Sequence, residues 1–600
     1  MAKAYKHLRR ERTERRLKNQ EFHGTIEGEA LANLPSLACL AAWDHGKLNA
    51  SFEQDGEVKL CIGKQRVLIN PRARPCDEQV IRSARGAADC TASQRRWVLV
   101  ATILASVIAY IDESVVNVAL PVISKELATS VAVIQWVINA YTLCLAAFLL
   151  VGGAAGDQLG RRRVFVIGIG IFAIASIWCA LSPNVTQLII ARAIQGIGAA
   201  LLIPCSLAII GASFPDAERG IAIGTWAGFS AIAAAIGPLL GGWIVDHFTW
   251  QAIFLINPFL AGPAIWIAWR HLPESYDPEA PPGIDWLGAL LAFGGLGGVA
   301  FGLIALPDRG AWDVSVLVSL AVGLLFLLAF VWHEGRTRSP MMPLGLFRSR
   351  TFSGINVLTL LLYSALGGAF FLLPFDLIQV HGYSATLAGA VFLPFTIIMG
   401  VLSRWSGGLL DRVGARVPLI AGPTIAAVGF ALFALSGPST SYWSGFLAPI
   451  AIIGLGMAVT VAPLTTTVIN AVPGHQTGVA SGINNAVASV ATLLAIAIFG
   501  AVTLNGFDRA LDRDLQTPAL SSSVRQVIES ARGKFVIDPS LTTSLGADRP
   551  LAEAVVKESL AEGIGIAMLL AAALALASAA AAAFTVRPSE GRQIAARAKA

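Results

Sequence analysis

From Val417 to Phe507 the chain runs 91 residues without an Asp, Glu, Lys or Arg. A bilayer span needs about 20 mostly apolar residues, so this run accommodates three crossing helices. Shorter charge-free runs cover 97–111, 127–156, 164–191, 193–215, 220–245, 286–307, 351–375 and 563–586. Composition agrees: charged residues are 14% of the 600 residues, hydrophobic residues 55%, and the mean hydropathy is +0.66. A soluble chain carries about 25% charged residues, so disordered, collagen-like, coiled-coil and disulfide-scaffold classes are excluded. The expected fold is an all-α polytopic membrane protein.

Breaking the runs at Pro, Gly and polar clusters predicts fourteen transmembrane helices. They fall near 97–121, 133–153, 164–182, 186–210, 221–244, 252–270, 284–305, 314–332, 352–375, 385–404, 417–435, 445–469, 478–502 and 563–585. Basic residues in short loops mark the cytoplasmic side. With the N-terminus inside, the inner loops hold twelve arginines, and the outer ones hold only Lys125 and Arg309. Both termini are therefore expected in the cytoplasm.

Residues 1–96 carry a basic stretch, MAKAYKHLRRERTERRLKNQ, suited to anionic lipid. They are expected to be a cytoplasmic tail, either disordered or an over-extended gene start. Residues 587–600 form a second cytoplasmic tail. The polar stretch 504–562 is expected to be an outer loop. Helical spacing of Val524, Val527, Ile528 and Ala531, and of Leu551 and Val555, predicts short amphipathic helices in it. The seven cysteines show no CxxC and no framework, and the histidines show no ligand spacing, so no disulfide scaffold or metal site is expected.

A local pattern occurs twice. Gly153-Ala-Ala-Gly-Asp157-Gln-Leu-Gly160-Arg161-Arg162-Arg163 follows helix 2, and Gly407-Gly-Leu-Leu-Asp411-Arg-Val-Gly414-Ala-Arg416 follows helix 10. The repeat predicts two six-helix bundles, 97–271 and 351–586, with two inserted helices at 284–333. Parallel repeats with substrate held between the halves are a transporter plan.

Further motifs sharpen this. Ile111-Asp112-Glu113-Ser114-Val115-Val116-Asn117-Val118-Ala119-Leu120-Pro121 lies in helix 1, and Gln135-Trp136 in helix 2. Arg192-Ala-Ile-Gln195-Gly196-Ile-Gly198 lies in helix 4; Gly224, Ala233 and Gly237-Pro238-Leu-Leu-Gly241-Gly242 lie in helix 5. Over about 97–586 the chain resembles the major facilitator superfamily, and within it the fourteen-helix drug:proton antiporters of the EmrB/QacA type. Three positions depart from the pattern. Glu113 stands where a small residue is common, and Ala233 replaces a usual Gly. Ala486-Val-Ala-Ser489 stands where many members carry Arg-Gln, which leaves substrate range open.

A charge inside the hydrocarbon is costly and usually functional. Asp112 lies 15 residues past Trp97, which is roughly 22 Å of helix. Arg192, counted from the outer start of helix 4, falls at a similar depth. Burial favours a neutral carboxyl and a nearby guanidinium favours the anion. Asp112 and Arg192 are therefore expected to face the central cavity as the proton-coupling pair; the alternative is a static ion pair. Glu113, about 100° round the helix, is either a second cavity carboxylate or a snorkelling group. Asn117, Gln135, Trp136, Asn139 and Gln195 are further cavity candidates. Asn257, Asn356, Asn484 and Asn485 are as readily read as interhelical hydrogen-bonding groups.

Gly237, Pro238, Gly241 and Gly242 read as a hinge and close-packing seal, since Pro removes a helical N–H and Gly removes side chains. Gly153, Asp157, Gly160, Arg161 and Arg162, with Gly407, Asp411, Gly414 and Arg416, read as gating loops. No GxxxxGK[ST] motif is present, so the expected energy source is a proton gradient without a cofactor. The resulting expectation is a proton-coupled exporter of amphipathic, often cationic compounds in a bacterial inner membrane. Export of a dedicated metabolite or lipid is one alternative; a non-transporting membrane receptor is another. Partners are a small-molecule substrate and membrane lipid, with no nucleic acid. A periplasmic adaptor is implied only by the resemblance.

Overall fold

The computed structural model describes residues 48–52, 58–62, 65–69 and 92–586, apart from 278–282, 338, 408, 410–412, 439, 473–475, 517–520 and 534–547. The chain divides into two compact units, Met1–Cys90 and Thr91–Ala600. In the first unit, strands β1 (Leu48–Phe52), β2 (Val58–Ile62) and β3 (Gln65–Ile69) form an antiparallel meander. Regular structure there was not expected from the basic, broken sequence of residues 1–96.

The regular structure of the second unit's described residues is all helical. Its elements are α1 (Ala92–Glu126), α2 (Val131–Leu159), α3 (Arg161–Ala180), α4 (Val185–Ser213), α5 (Asp216–His247) and α6 (Ala252–His271). Then come α7 (Trp286–Arg309), α8 (Val314–Glu334) and α9 (Arg350–Phe375), the last continued by a π-helical turn, Asp376–Val380. Two pieces, Ala385–Ala390 and Leu393–Gly407, make up α10. They are followed by α11 (Arg416–Phe433), α12 (Ala448–Asn470), α13 (Thr477–Leu515), a short α14 (Ser522–Glu529) and α15 (Arg549–Thr585). Among the described residues, fourteen helices are long and apolar enough to cross a membrane.

Side-chain caps start many of them. Ser130, Asn184, Asp285 and Ser349 accept backbone N–H groups at the starts of α2, α4, α7 and α9. Within the first six helices, α4 packs on α2 and α3, and α1 packs on α5 and α6. In the second set, α9 packs on α13 and α15, and α11 on α12 and α15. The sets meet where α2 lies on α13 and α5 on α10, and α7 bridges α2 and α13. Glycine sets the closest crossings. A Cβ on Gly198 would lie 2.7 Å from the backbone N of Phe172, so α3 and α4 touch main chain to main chain.

The stretch 504–562 differs from the expected loop. α13 runs to Leu515 and α15 begins at Arg549, so both helices continue well past the predicted spans. Leu551 and Val555 belong to the first turns of α15, not to a separate helix. The other expected amphipathic helix exists as α14, whose Val524, Val527 and Ile528 are buried with Ala531. Polar pairing replaces lipid contact along the extensions: Arg513 Nη2 donates to Glu562 at 2.6 Å.

Candidate functional site

Asp112 of α1 and Arg192 of α4 meet in the interior of the first six helices, 2% and 1% exposed. The Arg192 Nη1 group donates both to Asp112 Oδ2 and, at 2.6 Å, to Gln195 Oε1. Its Nε donates to the Val137 carbonyl of α2 at 3.0 Å. The other carboxylate oxygen of Asp112 accepts from Gln195 Nε2 at 2.8 Å and from Asn257 Nδ2 of α6 at 2.7 Å. Ser176 Oγ of α3 accepts from Gln195 at 2.8 Å and from Asn257 at 3.2 Å. The Arg192 guanidinium also lies 4.4 Å from the Tyr141 ring centroid, a cation–π distance.

Five helices thus join one network around a carboxylate that receives three hydrogen bonds. Two charges this deep are tolerated because each is paired and further hydrogen-bonded. The pair is enclosed by α1, α2, α3, α4 and α6 rather than lining an open cavity, which corrects the expected setting. Asn257 enters this network as a direct carboxylate partner. Ser176 and Tyr141 were not anticipated, since neither stands out in its apolar run.

One stripe of α1 faces elsewhere. Tyr110, Glu113 and Asn117 follow helical spacing and are each half-buried. Tyr363 of α9 and Glu113 are the titratable neighbours of Tyr110. This stripe therefore looks toward the second set of helices. Glu113, half-buried, has Asp112 and Arg192 as its charged neighbours. Asn117 Nδ2 donates to the Glu113 backbone carbonyl at 3.0 Å, within its own helix.

The remaining cavity candidates separate. Gln135 is buried at the α2–α13 contact and donates to the Ile496 carbonyl at 3.3 Å, against Gly500. Trp136 packs among Leu143, Leu296 and Leu493, with the Phe301 ring 6.4 Å away, so it serves the α2–α7–α13 junction. Asn139 is fully buried, and neither of its amide atoms has a hydrogen-bond partner among the described residues. In the second set, Asn484 donates to Asn356 Oδ1 at 3.2 Å and to Thr359 Oγ1 at 2.8 Å. That cluster joins α9 and α13 without any charge.

The small residues of α5 serve two interfaces. Gly237 and Gly241 lie against Ser114 and Val115 of α1, whereas Gly242 lies against the Ala385 carbonyl of α10. Gly389 of α10 returns the contact on the Pro238 carbonyl. Asp246 completes this seal: it accepts from the backbone N–H of Ala385 at 3.0 Å and of Thr386 at 2.7 Å. Asp246 was missed because a carboxylate at a helix end looks like an ordinary surface charge.

At the opposite, arginine-rich end the first gating loop folds onto its own half. Asp157 pairs with Arg161 at 2.7 Å. Glu274 accepts from the Arg162 N–H at 3.0 Å and lies 3.6 Å from the side chains of Arg162 and Arg163. Gly160 has φ +108°, and a Cβ there would also meet Glu274 Oε1 at 2.7 Å. Gly414, its counterpart in the second copy, has φ +76°. Gly153 packs against Pro204. Arg416 donates to the Ala583 carbonyl of α15 at 2.7 Å. Asp411 lies outside the described residues, and of Gly407 only its place at the end of α10 is described.

Comparison with known proteins decides the family. The Major Facilitator Superfamily model matches residues 102–496. The chain belongs to this superfamily. It is 31% identical over 481 residues to the multidrug resistance protein Stp of Mycobacterium tuberculosis, covering 79% of this chain and 88% of that protein. It is 32% identical over 485 residues to a tetracenomycin C resistance and export protein of Streptomyces glaucescens, with the same coverage, 79% and 88%. The fold is shared with a bacterial homologue of the human lysosomal transporter Spinster, at TM-score 0.57 and 16% identity, over 82% of this chain and 98% of that one. This membership and the fourteen apolar helices make the chain a multi-pass membrane protein with a small-molecule substrate.

Proposed function

We propose that this major facilitator protein is a proton-coupled exporter of amphipathic small molecules, working by alternating access in a bacterial inner membrane with both termini cytoplasmic. The names of its relatives support export of drugs and antibiotics, tetracenomycin C among them. The arginine count in the short loops supports the orientation. One observation carries the coupling: the enclosed Asp112 carboxylate, bound at once by Arg192, Gln195 and Asn257.

The chemistry follows from that enclosure. A carboxylate in apolar surroundings keeps its charge while a cation and donors face it. A movement of α1 against α4 that parts Asp112 from Arg192 removes the cation, and the carboxylate then takes a proton. The return movement re-forms the pair and releases the proton. Substrate occupies the space faced by Tyr110, Glu113 and Tyr363. The α5–α10 seal and the loop at Asp157 open in alternation, at opposite ends. The basic tail against anionic lipid, and an adaptor at the side of residues 504–562, belong to the same reading.

The test is export from proteoliposomes across a panel of lipophilic dyes and antibiotics. A pH gradient is expected to drive accumulation by the wild type and not by Asp112→Asn. Accumulation that persists in Asp112→Asn overturns the coupling assignment. Binding without any gradient-driven movement in the wild type favours a receptor instead.

A further inference from the structure

A pair of acids lies far from Asp112 in sequence, at the open, arginine-rich foot of the inserted hairpin α7–α8. Asp285 caps α7: its Oδ1 accepts from the Gly288 N–H at 2.8 Å, and His333 Nε2 lies 2.8 Å from the same oxygen. Glu334 ends α8 and is 3% exposed; its Oε2 accepts from the Met342 N–H at 3.0 Å. The Asp285 side chain is only 5% exposed. The other oxygen of each acid, Asp285 Oδ2 and Glu334 Oε1, is buried and has no hydrogen-bond partner among the described residues.

These two oxygens converge. A Cβ on Gly288 would lie 2.7 Å from Asp285 Oδ2 and 3.0 Å from Glu334 Oε1, so both overhang the one residue that has no side chain to fill the space. Two buried carboxylates turned onto the same residue resist ionising together, since a nearby like charge disfavours the second ionisation. A hard metal ion would need six or more oxygen ligands in the case of Ca²⁺. Among the described residues, two carboxylate oxygens lack a partner here; the imidazole and the backbone amides are already engaged with the others. A single proton fits, donated by one acid to the facing oxygen of the other.

We propose that Asp285 and Glu334 hold one proton between them, making the foot of the α7–α8 hairpin a proton-binding site separate from Asp112. The site has a mechanical position. Asp285 follows the linker from α6, and Glu334 holds the Met342 amide of the strap that leads to α9. One proton thus fastens both linkers that join the six-helix sets. Among the described residues, the titratable groups facing Glu334 are Asp285 from the start of α7 and His333 from α8; the strap contributes the Met342 amide. Arg336 is drawn onto the Trp332 ring, 4.1 Å from its centroid. Bound at low pH, the proton is lost as pH rises; the two anions then repel and the strap loosens.

The experiment is hydrogen–deuterium exchange of the full chain in nanodiscs across a pH series, read at the amides of Met341 and Met342. Rates are corrected for the intrinsic pH dependence of exchange. In the wild type, corrected exchange is expected to rise about tenfold to a hundredfold with pH, the range for losing one hydrogen bond to a charged group. Glu334→Gln supplies a permanent N–H donor to Asp285 Oδ2 and is expected to stay protected at every pH. Asp285→Asn does the same from the other side, should Glu334→Gln fail to fold. A flat wild-type profile, or one that the amide variants do not change, overturns the proposal. Protection restored at high pH by millimolar Mg²⁺ or Ca²⁺ also overturns it, in favour of a cation site.

Discussion

Replacing Asp112 by Asn leaves a guanidinium buried to 1% exposure without its hydrogen-bonded counter-charge. The magnitude follows from the contacts. Charge centres about 4 Å apart attract by about 4 kcal/mol at an effective dielectric of 20. The new Asn oxygen can still accept from Gln195 or Asn257, but its N–H₂ group then faces the Arg192 donor. Breaking a buried pair from one side costs about 3–5 kcal/mol, in line with the Coulomb figure. Arg192→Gln alone is expected to lose a similar amount, because it strands Asp112 among the remaining donors. The double variant removes both charges and is expected to recover most of the loss. Unfolding equilibria in SDS mixed micelles provide the four corners of the cycle, with an expected coupling larger than either single loss of about 3–5 kcal/mol. Additive losses, with coupling below about 0.5 kcal/mol, would refute the view that the two charges sustain each other.

Other expected outcomes test the packing. Gly242→Ala sets a methyl against the Ala385 backbone, which cannot yield, so the α5–α10 seal is expected to part; spin-label distances across that end check it. Asp246→Asn removes the charge from two amide contacts on α10 and is expected to weaken closure by about 1.5–3 kcal/mol, read as a population shift in the same distances. Gly198→Leu blocks the main-chain contact of α3 with α4 and is expected to abolish folded yield, judged by size-exclusion profile. The buried thiols of Cys144, Cys179 and Cys205 are expected to resist maleimide until the protein is denatured.

Much of this was legible in sequence because the bilayer forbids charge. Fourteen spans follow from charge-free runs, and Asp112 and Arg192 stand out as the acid and base that break the rule. Helical rise alone put them at one depth, and the structure brings them into contact. What surrounds them was not legible. Ser176 and Tyr141 are ordinary within apolar helices; only the rotation of α3 and α2, set by tertiary packing, turns them to the pair. Gln135 and Trp136 carried the signal of polar and aromatic residues in a span, yet packing against α13 and α7 uses them up. Asp246 and Glu334 sit at helix ends and Glu274 in the linker after α6, where a carboxylate is unremarkable until its partners are known. The long ends of α13 and α15 escaped because Asp508, Arg509, Asp512, Arg513 and Asp514 read as loop. Their helices leave the apolar zone as a charged pair of coils held by contacts such as Arg513–Glu562.

Proton exchange at Asp112 can be watched without a membrane. Substrate added to the purified protein in weakly buffered detergent is expected to change the bound-proton count, read with a pH-sensitive dye, and Asp112→Asn is expected to abolish that change while still binding substrate. An undiminished proton signal from Asp112→Asn would show that coupling resides elsewhere in the molecule.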